Sequence, residues 1–168
     1  MWNDIRDEKT LEEFMESMDF FHDSCIKEMK YVSGAYVDED LGMYPVNDRR
    51  ILSVIIQSQY EENSMIEMEF LGMKYLHLKP VVEEWTGEIN DATMILKEGC
   101  VYWCDCWGFT EETIKEYTGT VICAEKVRWR SIEGHIYVAI QPNVTKNCLT
   151  SPELYLKNGL INRKFRFS

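Results

Sequence analysis

The chain has 168 residues, 45% hydrophobic and 12% aromatic, and its 29 acidic side chains outnumber 18 basic ones for a net charge of −11. That composition excludes a disordered tract, and a single domain of this size buries about 70% of the surface its unfolded chain would expose. Apolar runs as short as Val54-Ile55-Ile56 exclude a membrane-spanning helix, and a field of this sign repels nucleic acid and anionic membrane while attracting a basic protein.

The charged start, Met1-Trp2-Asn3-Asp4-Ile5-Arg6, lacks the apolar core of a secretory leader, which points to the cytoplasm. Thr10-Leu11-Glu12-Glu13 then has the form of a capping box, and Leu11, Phe14, Met15 and Met18 fall on one stripe, predicting a helix over about 11–19. Residues 24–37 read as a strand with Gly34 as a bulge, and 38–50 as a polar loop. A strand over 51–60 and a turn at 61–64 come next. In the succeeding strand Ile66, Met68 and Phe70 alternate with Glu67 and Glu69, the pattern of a half-buried antiparallel strand; Gly72 interrupts it before Pro80.

After a loop at 81–87, residues 89–96 and 100–106 predict a hairpin closed around Lys97-Glu98-Gly99. Its second strand is apolar on both faces, as in a strand that is central or covered. Residues 110–117 predict a short helix, and 120–132 a strand. A further strand near 136–140 and a helix at 152–157 complete the reading. Residues 131–168 hold two acidic against five basic side chains, net +3, which leaves −14 on residues 1–130. Runs of strands with few helices indicate one α+β domain with a basic C-terminal extension. Its sheet is twisted and mainly antiparallel, with an N-terminal helix and one or two short helices.

Phe21-His22-Asp23-Ser24-Cys25, running into Tyr31-Val32-Ser33-Gly34-Ala35-Tyr36-Val37, resembles a family of small, uncharacterised, acidic bacterial proteins. The paired segments Ile66-Glu67-Met68-Glu69-Phe70 and Val127-Arg128-Trp129-Arg130 extend the likeness over residues 1–130. More loosely, the His-Asp-small turn is similar to that of immunity-type proteins, which neutralise toxins. Neither resemblance implies a reaction or catalytic residues.

His22, Asp23, Ser24 and Cys25 have nucleophile and base chemistry, yet neighbours at a turn rarely aim at one atom, and a triad is assembled from separate segments. Hydrogen bonding at a helix-to-strand turn is the simpler role, with His22 in a half-buried polar niche. Six cysteines without a C-x-x-C pair give no zinc spacing, so no metal or cofactor is expected. Arg128 and Arg130 face Glu67 and Glu69 as a ladder of ion pairs. Alternation places Glu125 on the apolar side of the same strand, where it needs an Arg, a Lys or His22 as partner.

Acidic residues cluster at Asp38-Glu39-Asp40, Glu61-Glu62, Glu83-Glu84 and Glu111-Glu112. Gathered on one side, they would dock a basic surface. The expected function is a non-enzymatic, immunity-like binding module whose acidic surface, Asp38, Glu39, Asp40, Glu61, Glu62, Glu83 and Glu84, meets a basic protein. The alternative is a small hydrolase or ligand-binding enzyme with a pocket around His22 and Glu125.

Overall fold

A computed structural model describes residues 1–59, 64–80, 86–110 and 112–133. The chain divides into the units Met1–Ile136 and Tyr137–Ser168, and the second lies wholly outside the described residues, as do the expected elements at 136–140 and 152–157.

A short strand, β1 (Asn3–Ile5), precedes the helix α1 (Glu8–Ser17). The helix starts a turn earlier than Thr10 because Asp7 is the cap. The Asp7 carboxylate accepts from the Thr10 amide at 2.9 Å, and the Thr10 hydroxyl accepts from the Asp7 amide at 3.1 Å. The capping box is therefore present, with the roles of its two ends shifted by three residues. Leu11, Phe14 and Met15 are its buried side chains.

The long strands are β2 (Ser24–Val32), β5 (Ile51–Ser58), β6 (Met65–His77) and β10 (Val121–Ser131). The stretch expected as one strand to residue 37 breaks at Gly34, whose φ of +103° only glycine adopts readily. Beyond the break, β3 (Tyr36–Val37) and β4 (Met43–Tyr44) pair as a small separate hairpin. Between β6 and β10 lie β7 (Glu88–Ile89), β8 (Thr93–Lys97) and β9 (Cys100–Cys104). Among the described residues of the helix expected at 110–117, Ile114–Glu116 form a 3-10 turn.

The main sheet runs β7-β2-β5-β6-β10-β9-β8, with β1 also on β10, and every pairing is antiparallel. Its two edges belong to nearly contiguous chain: Ile89 pairs with Ser24 at one and Thr93 with Cys104 at the other. Four peptide steps of at most about 3.8 Å cannot separate those edges by more than about 15 Å, so the sheet is curled upon itself. Inside the curl lie Leu52, Val54 and Ile56 of β5, Met68 and Phe70 of β6, Trp103 of β9 and Ile122 of β10, closed over by the apolar stripe of α1. A second cluster sits on the outer face, where Tyr102, Cys104, Val121 and Cys123 are covered by Ile114 and flanked by Phe109 and Tyr117. Burial there pushes the Cys104 thiol up to about 11 and the Tyr102 hydroxyl up to about 12, so both stay protonated.

The expected ladder forms between adjacent registers. Arg128 Nε donates to Glu69 at 2.7 Å and Arg130 Nε to Glu67 at 2.8 Å. Both guanidinium groups also lie 4.5 Å from the ring of Trp2, which spans the two rungs.

Candidate functional site

Beyond Ser17 the chain makes a turn of the opposite hand. Asp19, Phe20 and Phe21 have φ of 47°, 51° and 63°, and Asp23 comes after them at 49°; none is glycine. Left-handed backbone costs an L-residue about 1–2 kcal/mol, so three in succession must be held by their surroundings. Phe21, 1% exposed, packs edge-on against Phe14 at 5.7 Å and Trp103 at 5.9 Å. The Phe20 carbonyl accepts from the Ala92 amide at 2.7 Å, and the His22 amide donates to the Asp19 carbonyl at 2.8 Å. With Phe21 committed inward, Phe20 is turned out, 44% exposed.

His22 sits next in the chain, on the seam where the edges of the curled sheet meet. Its Nδ1 donates to the Asn90 carbonyl, with Asp91 at 3.6 Å, while Nε2 faces Asp23 at 3.7 Å. Acceptors at both ring nitrogens favour the imidazolium. The Asn90 carbonyl first, then Asp23, Asp91 and Asp19, raise its pKa above the ordinary value of 6.5 against partial desolvation. Ser24 is buried and points its hydroxyl at the His22 carbonyl at 3.4 Å, and Cys25 is half-buried in β2. The Ser24 hydroxyl is thus directed at backbone and not at the His22 ring.

Glu125 is not on the apolar face. Ala124 and Val127 both belong to the core, as do Phe70 and Met73 on the paired strand, so each strand advances three residues between inward side chains. The step turns Glu125 outward, to Lys74 at 2.6 Å and Arg50 at 3.5 Å, and Lys74 above all lowers its pKa. Partners of the expected charge are there, on the surface rather than in a buried site. His22 adjoins Ser24, which pairs with Ser58, whereas Arg50 precedes Ile51 at the other end of β5. At about 3.3 Å per residue those ends are roughly 23 Å apart, so His22 and Glu125 share no pocket.

Of the acidic residues expected to bind a partner, Asp38 shapes its own turn, accepting from the amides of Asp40 at 3.1 Å and Gly42 at 2.7 Å. Glu39 and Asp40 are exposed at the hairpin tip. Glu61, Glu62, Glu83, Glu84 and Glu111 lie outside the described residues, and Glu112 is exposed. Among the described residues, no group of three or more His, Cys, Asp or Glu side chains could hold a metal, and no helix is long and apolar enough to cross a membrane.

Of the hollows on the described surface, three bear on function. One of about 260 Å³ at the Ser24 end of the sheet is edged by serines, but Ser17, Ser24 and Ser64 spend their hydroxyls on backbone carbonyls. A wider one of about 720 Å³ is bordered by Pro80 and Thr86, which flank the undescribed residues 81–85. The third, a groove of about 310 Å³, runs beside α1. Its floor is the buried set Leu11, Met15, Ala92 and Met94; its lips are Phe20 and the 73% exposed Trp107; Glu12 and Glu16 stand on its rim. Chain order hides this site, because Phe20 and Trp107 belong to distant segments. The one sequence signal for it was the exposed face of α1, Glu8, Glu12, Glu13 and Glu16, whose only basic member is Lys9.

No family model matches the chain, and no curated protein or solved structure is significantly similar to it.

Proposed function

We propose that this chain is a non-enzymatic protein-binding module that presents an acidic surface to a basic protein, in the manner of immunity-type proteins. The observation that carries the reading is the row of carboxylates along α1, continued by Asp19 and set beside an apolar groove. Lys9, which pairs with Glu13 at 3.6 Å, cancels one of these charges and leaves the row net negative. Exposed charge of one sign steers association from long range and is screened by salt, whereas apolar floor area is not.

The test is affinity capture on the immobilised chain, followed by calorimetric titration of a captured basic protein at low and at moderate salt. The expected affinity falls about tenfold between the two, and falls again in the Glu12→Lys, Glu16→Lys double variant. A matched variant, Glu28→Lys with Glu98→Lys, carries the same net charge and leaves the affinity unchanged. Absence of binding, or equal loss in both variants, refutes the reading.

A further inference from the structure

We infer that the groove beside α1 receives one apolar side chain, aromatic or long aliphatic, from a partner segment that carries Lys or Arg on both sides of it. The inference rests on the acidic-surface reading and names the chemistry its contact point selects. Charge complementarity sets the flanks: Glu12 and Glu16 are one helical turn apart on the rim, with no basic side chain among the groove's lining residues. Size sets the centre. At about 310 Å³ the hollow is at the lower end of the range for small-ligand pockets, room for a side chain and not for an extended ligand.

The lips supply a second, independent argument. Trp107 and Phe20 are large aromatic surfaces left in water over an apolar floor, the arrangement of an anchor pocket at a protein interface. Phe20 is held there by left-handed backbone that glycine would adopt without steric strain. A bulky ring at such a position opposes stability, so its presence is explained by what the ring touches when the groove is filled.

Two synthetic peptides test this, Lys-Arg-Gly-Trp-Gly-Arg-Lys and the same sequence with glycine at its centre, each titrated into the labelled full chain by amide and indole NMR. The tryptophan peptide is expected to shift the Trp107 indole and the amides of Phe20, Met94 and Phe109, and to bind about tenfold more tightly than the glycine peptide. Trp107→Ser and Phe20→Gly should each bring the two peptides toward equal affinity. The melting temperature of Phe20→Gly should be unchanged or higher, whereas a ring with only a packing role would lower it. If both peptides bind equally and shift only α1, the anchor is refuted while the acidic surface stands. If neither shifts the groove at millimolar concentration, the anchor is refuted and the calorimetric titration decides the acidic surface separately.

Discussion

Glu125 and Gly72 occupy the same step of the sheet: a Cβ at Gly72 would lie 2.7 Å from the Glu125 carboxylate, and the glycine's own φ is +67°. Gly72→Ala should therefore cost about 1–2 kcal/mol from backbone conformation, with a further penalty from the displaced carboxylate. In urea unfolding, the double variant with Glu125→Ala should cost less than the sum of the single changes. Strict additivity would show that the two residues do not contend for the same space.

The Glu125 carboxyl titrates below its ordinary 4.5 because Lys74 and Arg50 favour its charged form. A depressed folded-state pKa contributes stability above the unfolded value and loses it as pH falls through the folded one. Glu125→Gln should accordingly lie below the parent in melting temperature near neutrality and converge with it in acid. Parallel profiles from neutrality down to pH 2 would contradict the pairing.

His22 has the opposite sign. With its pKa raised above 6.5, its contribution is complete below that value and fades as pH rises through the folded pKa. The melting-temperature gap between the parent and His22→Gln should be widest in mild acid and close on the alkaline side. An imidazole NMR titration with a midpoint at or below 6.5 would remove the basis for this expectation.

Trp2 lies under both Arg128 and Arg130, so Trp2→Ala should lower stability by about 1 kcal/mol, judged from cation–π pairs at exposed sites. The loss should shrink in Arg128→Ala. Phe21→Ala, by contrast, empties a fully buried position and should cost about 3–5 kcal/mol. Adjacent phenylalanines in one turn thus make opposite predictions, which thermal denaturation of Phe21→Ala and Phe20→Gly compares directly.

Wherever two residues per step held, the sequence was a faithful guide. Glu67 and Glu69 met Arg130 and Arg128 because strict alternation persists along that part of β6 and β10. The same assumption misplaced Glu125, since the step at residues 124–127 changes the face without any glycine or proline on β10 to announce it. The left-handed turn was equally silent, because Asp19, Phe20 and Phe21 are not residues that advertise such backbone. On α1 the apolar stripe was legible and gave the core, while the carboxylates opposite it had no sequence reading beyond the capping box. Only the arrival of Ala92, Met94 and Trp107 beside that helix makes its outer face a site, and nothing local encodes their arrival.

The route of residues 90–92 between the two sheet edges bears on how the molecule assembles. β2, β5 and β6 lie side by side, and β8, β9 and β10 do the same, so each trio pairs strands whose partners are nearer in the chain, as in Val32 with Ile51 and Val121 with Cys104. Joining the trios is costlier: the Arg128–Glu69 and Arg130–Glu67 rungs close separations of 59 and 63 residues. Folding should be paced by that union, and the stretch carrying Asn90 and Ala92 acts as a tether that shortens the search by keeping the outer borders of the two trios within reach of each other.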